Sequence, residues 1–130
     1  MQLLARPGFL RLLRLSFWAA LLFAVTMAVL PHPPDFGTNQ MGDKFNHMLA
    51  FAVLSALAAL SFPRADLWRL AERLSFVGAL IEVVQALPML GRDCDIRDWI
   101  ADTLSIVVVM AVMRTILPRQ RGAETASEGP

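Results

Sequence analysis

The sequence predicts an all-α protein: a polytopic membrane bundle of four transmembrane helices, with both termini cytoplasmic. Three observations carry that expectation. The 130 residues are 56% hydrophobic and only 18% charged, where soluble domains run nearer 45–50% and about 25%. The apolar residues gather into four runs, and each run is closed by a proline or by Gly-Arg. The cations sort to alternate connectors, as the positive-inside rule requires.

Residues 1–14 hold Arg6, Arg11 and Arg14 and no acid, ahead of the uncharged run Leu15–Leu30 that Pro31 closes. A positive start and an apolar run also describe a secretory signal. No small-x-small cleavage site follows, however, and with Leu12 and Leu13 the run reaches spanning length. The expectation is a retained first helix. Residues 31–42, with Pro31, Pro33, Pro34, Gly37 and Gly42, read as a loop. Asp43-Lys44-Phe45-Asn46-His47 opens the second run, Met48–Phe62, stopped by Pro63. The connector Pro63–Arg73 is basic and carries Trp68, a residue suited to a membrane–water interface. The third run is Leu74–Leu90, with Glu82 and Gln85 inside it, and the fourth is Trp99–Leu117, closed by Pro118. Residues 1–118 thus form one membrane domain, and the polar tail 119–130 reads as disordered and cytoplasmic.

With the N-terminus in the cytoplasm, nine of the twelve cations fall inside, leaving Lys44, Arg92 and Arg97 outside. The acids sort the other way, so the charged stretch Arg92–Asp102 faces outward together with Asp43–His47. Asp43, His47 and Phe51 share a helical face, as do Glu82 and Gln85, with Gly78 one turn away allowing close approach. Asp98, Asp102 and Ser105 form a third stripe. Acids in hydrocarbon cost about 2.5–3.5 kcal/mol each on insertion scales, so these faces should turn inward together. A rise of about 1.5 Å per residue puts Asp98 and His47 near the outer surface and Asp102 and Gln85 roughly 5–8 Å lower. The same rise puts Glu82 deepest, roughly 12 Å below the end of its helix. The expected result is an outward polar pocket of Asp43, Lys44, His47, Glu82, Gln85, Arg92, Asp95, Asp98 and Asp102.

Plainer readings stand beside this one. Asp43 suits a helix N-terminus, as does the pair Asp98 and Asp102, Asp98 the better of the two. His47 suits an interfacial histidine bonded to a neighbour, and Glu82 and Gln85, Gln85 above all, suit interhelical bonding. Asp93, Asp95 and Arg97 read as solvated loop charges, and Cys94 as an incidental thiol. A single cysteine excludes an intrachain disulfide and a Cys-rich zinc site. No basic patch with interleaved aromatics points to nucleic acid.

The ordered set Asp43-Lys44-x-x-His47-x-x-x-Phe51, Glu82-x-x-Gln85 and Arg92-x-x-Asp95-x-x-Asp98-x-x-x-Asp102 resembles the VanZ-like family of small bacterial membrane proteins, over about residues 43–113. Founding members of that family accompany glycopeptide-resistance clusters and are linked to teicoplanin resistance. Where the family usually has an asparagine and then a glycine, this chain has Asp102 and Ser105. The resemblance implies a multi-pass protein of the bacterial cytoplasmic membrane meeting a cell-envelope molecule, either a lipid-linked intermediate or an amphiphilic glycopeptide. No cofactor or metal is expected, a hydrolytic metal site of His47 and the acids being the minor variant, and oligomerisation is left open. Two alternatives remain. One is a membrane-embedded enzyme using His47 with Asp98 or Glu82 for general acid–base chemistry on a lipid head group. The other is a purely structural or partner-binding protein. No nucleophile–base pair or catalytic motif is visible, so no catalytic residue is assigned.

Overall fold

The computed structural model describes residues 6–31, 42–91 and 95–117, apart from the side chain of Asp43. These residues form four α-helices: α1 (Pro7–Val29), α2 (Asp43–Ser61), α3 (Leu67–Gln85) and α4 (Ile96–Ile116). A 3-10 turn, Pro88–Leu90, lies between α3 and α4. Pro118 and the tail lie outside the described residues, as do Arg92, Asp93 and Cys94.

The ends of the helices follow local rules. Pro7 opens α1, where a missing N–H costs nothing. Leu30 and Phe62 leave helical geometry immediately before Pro31 and Pro63, as residues preceding proline tend to. Asp66 caps α3, its Oδ1 accepting from the backbone N–H of Trp68 at 2.8 Å and of Arg69 at 3.2 Å. Asp95 caps α4 by accepting from Arg97 N–H at 2.9 Å, and Asp98 in the first turn complements the helix dipole. Gly91 adopts φ 58° at the end of the 3-10 turn, a conformation that glycine takes without cost.

The third helix corrects the sequence expectation. The apolar run is Leu74–Leu90, but the helix is Leu67–Gln85. Hydropathy locates apolar residues; the Asp66 cap and Pro88 locate the helix. The shift brings Arg69, Glu72 and Arg73 into the first two turns of α3. Three helices, α1, α2 (from Lys44) and α4, are long and apolar enough to cross a membrane. With its charged first turns, α3 does not meet that measure.

Side-chain pairings fix the directions. Lys44 meets Asp98 and His47 meets Asp102, so α2 and α4 run parallel. Ser75 meets Thr103, and Glu82 meets the start of α4, so α3 is antiparallel to α4. Gln85 reaches Ala28, which sets α1 parallel to α3, and Arg14 reaches Ser61, which sets α1 antiparallel to α2. The result is an up-down-up-down bundle in which α2 packs against the other three helices. Phe51, Leu54, Ala58, Leu74, Ile81, Ile106 and Met110 fill its interior. Large apolar residues on the outside, including Leu15, Trp18, Phe76, Leu104 and Val108, are exposed. That is the pattern expected of faces that meet lipid rather than water.

α1 is fastened at both ends by one device. The last carbonyls of a helix have no partner within it. Gln85 Nε2 donates to the Ala28 carbonyl at 2.9 Å, beside the C-terminus of α1. Arg14 Nε donates to the Ser61 carbonyl at 3.2 Å, at the C-terminus of α2. The Arg14 guanidinium also lies 5.7 Å from the Phe62 ring centroid, and Phe62 packs edge-on against Phe17 at 5.5 Å. α1 is therefore an integral part of the bundle.

Candidate functional site

The bundle has two chemically different poles. The N-termini of α2 and α4 and the C-termini of α1 and α3 meet at one of them. Among the described residues this pole holds Lys44, His47, Glu82, Asp95, Arg97, Asp98 and Asp102. The other pole holds Arg6, Arg11, Arg14, Arg64, Arg69, Arg73 and Arg114 with Asp66 and Glu72.

The acidic pole is built around a two-rung ladder between α2 and α4. On the upper rung, Lys44 Nζ lies 3.1 Å from Asp98 Oδ1, with side chains 47% and 22% exposed. On the lower rung, His47 Nδ1 lies 3.7 Å from Asp102 Oδ2, with side chains 12% and 3% exposed. Lys44 and His47 are three residues apart and Asp98 and Asp102 four, so parallel helices stack the pairs one turn apart. Exposure falls from the first rung to the second, so the ladder leads from solvent toward the core. One further turn in, Ser105 Oγ donates to the Met48 carbonyl at 2.9 Å and closes the seam. The Ser105 hydroxyl thus ties α4 to α2.

The helices approach closely at Gly78, with room for little more than a methyl group. A Cβ at this position would sit 3.4 Å from both the Phe51 ring and Trp99 Cδ1. Gly78 thus marks a point where α2 and α4 both contact α3. Trp99 uses the space to donate its indole N–H to the Ser75 carbonyl at 3.0 Å, and Ser75 Oγ bonds Thr103 Oγ1 at 2.8 Å. This α3–α4 polar seam is absent from the sequence-based residue set. Its signal was there: Ser75 and Thr103 are small hydroxyl residues near the ends of apolar runs, where interhelical bonds form.

Glu82 and Gln85 depart from expectation. Glu82 Oε2 accepts from the backbone N–H of Asp95 at 3.2 Å, so it lies level with the start of α4. It is not some 12 Å below the helix end, because α3 stops at Gln85 rather than at Leu90. Gln85 is correspondingly at the helix end, not beneath the surface residues, and it is bonded to α1. Asp95 is a helix cap rather than a loop charge. Arg92 and the Asp43 side chain lie outside the described residues.

The structure thus joins Lys44, His47, Asp98 and Asp102 in one constellation, places Glu82 and Asp95 beside it, and directs Gln85 to the α1 terminus. Chemically, the constellation offers an exposed cation, two carboxylates and an imidazole in a graded polar seam. Among the described residues no group of three His, Cys, Asp or Glu side chains is placed to hold a metal ion. No protein-family model, curated protein or solved structure matches the chain.

Proposed function

We propose that the chain is a VanZ-like multi-pass protein of the bacterial cytoplasmic membrane whose outward polar pole binds a cell-envelope amphiphile. The ligand class is a lipid-linked cell-wall intermediate or an amphiphilic glycopeptide. The observation that carries the reading is the graded ladder Lys44–Asp98 and His47–Asp102. Charged and ionisable residues among apolar helices are expensive, and their grouping at one pole marks a site by default.

In this reading all four helices span and the termini are cytoplasmic. Seven arginines against two acids at the basic pole support that orientation. Arg69 and Arg73 can carry their charges to the inner interface along their aliphatic stems. The exposed Leu87 and Met89 of the α3–α4 connection extend the apolar length of α3 at the other end.

The test is complementation. Cells lacking the protein are given the wild type, H47A or D98A at equal membrane levels and challenged with a glycopeptide antibiotic. Loss of the envelope phenotype in both variants supports the proposal, and an unchanged phenotype refutes it.

A second reading, in which the polar residues serve only to register the helices, draws on Glu82 and Gln85. Both of them bond backbone groups of neighbouring segments. It expects every one of these substitutions to lower stability in proportion to its loss of phenotype.

A further inference from the structure

The basic pole contains a cavity that the outward site does not use. It has a volume of about 140 Å³, well above the ~10–15 Å³ that one water needs. Pro63, Asp66, Leu67, Trp68, Arg114 and Leu117 line it, so it lies where the end of α2, the start of α3 and the end of α4 meet. We propose that this cavity binds the headgroup of an anionic phospholipid.

Charge argues for that occupant. Arg114 stands in the last turn of α4 and lines the cavity. The pairs Lys44–Asp98 and His47–Asp102 lie at the opposite pole, and Arg114 belongs to neither. Arg64 and Arg69 flank the lining residues in sequence and are exposed. The one acid in the lining, Asp66, has its Oδ1 turned to two backbone N–H groups of α3, and Arg114 with the neighbouring Arg64 and Arg69 outnumbers it. Basic pockets between membrane helices on the side that carries anionic lipid have this chemistry.

Position argues for a lipid rather than a free anion. Trp68 lines the cavity and is nearly half exposed, the mark of a residue at the headgroup level. Leu67 and Leu117 give the cavity an apolar side along which acyl chains can leave. The guanidinium would take the phosphodiester through two parallel N–H···O bonds, a geometry that a lysine cannot reproduce. The inference rests on the orientation proposed above, with the basic pole inward, and not on what the outward site binds.

Native mass spectrometry of the full chain, released from detergent micelles containing equal phosphatidylglycerol and phosphatidylcholine, tests it. Preferential retention of phosphatidylglycerol is expected, with about fivefold less retained by R114Q and an intermediate level by R114K. R97Q, at the other pole, should retain as much as the wild type. Circular dichroism of R114Q confirms that the helices are intact. Equal retention of the two lipids, or equal retention by R114Q and the wild type, overturns the proposal. So does displacement of the lipid by millimolar inorganic phosphate, which would make the cavity a free-anion site.

Discussion

Gln85 Nε2 donates to the carbonyl oxygen of Ala28 at 2.9 Å, joining the last residue of α3 to the end of α1 across 57 positions of sequence. Pro31 has no N–H to offer, and the chain leaves helical geometry at Leu30, so the terminal carbonyls of α1 must find partners elsewhere. Replacing Gln85 by Leu keeps the volume and removes the donor. The expected loss is about 0.6–1.7 kcal/mol, the range for hydrogen bonds between membrane helices. Unfolding titrations in mixed micelles measure it, and a curve superimposable on the wild type would show that the bond does not hold α1.

Gly78 is the second sensitive point. Alanine there meets Phe51 and Trp99 at the tight end of van der Waals contact, so G78A should be tolerated with a small loss. Leucine must push one ring aside, at a cost of typically 1–3 kcal/mol. Because Trp99 is bonded to Ser75, G78L should also shift tryptophan emission. Equal stability of G78A and G78L would mean that the three helices are not in close contact there.

The two rungs of the ladder should respond unequally. Lys44 is half exposed, so K44A should change stability by less than about 1 kcal/mol. His47 is mostly buried against a carboxylate that is 3% exposed, and H47A removes its neighbour from a group shielded from water. H47A should therefore be the more destabilising of the two in the same titration. The reverse order would contradict the gradient of burial.

Asp66 caps α3 through two amide groups. D66A should lose about 1 kcal/mol, between the usual limits for removing a cap. Hydrogen exchange at the amides of Trp68 and Arg69 should rise, with the rest of α3 unaffected. Unchanged protection at those amides would show that the cap is dispensable.

Much of this arrangement was legible in the sequence, for identifiable reasons. Proline ends helices whatever the tertiary context, so Pro31 and Pro63 marked the ends of α1 and α2 correctly. Spacing fixes which side chains share a face, so His47 on one helix and Asp98 with Asp102 on another were each legible, and the cost of acids in hydrocarbon turned the two faces together. The pairing of Lys44 with Asp98 was not legible from spacing. The register of α3 was not legible from hydropathy, because helix boundaries follow caps and breakers while apolar runs follow composition. Asp66 was the available signal. Misplacing α3 by several residues at each end misplaced the depth of Glu82 with it. The partner of Gln85 could not have been read from spacing at all, since it is a backbone carbonyl on a helix 57 residues away.

Photo-crosslinking from position 44 in intact cells tests the outward binding site most directly. A benzophenone-bearing residue is placed there and, as a control, at Val108 on the exposed face of α4. Position 44 should capture a non-protein envelope species, identified by the mass added to the tryptic peptide, and the capture should vanish in the D98A/D102A background. Capture at position 44 of only the bulk phospholipids found at position 108, unchanged by the double substitution, would contradict the site.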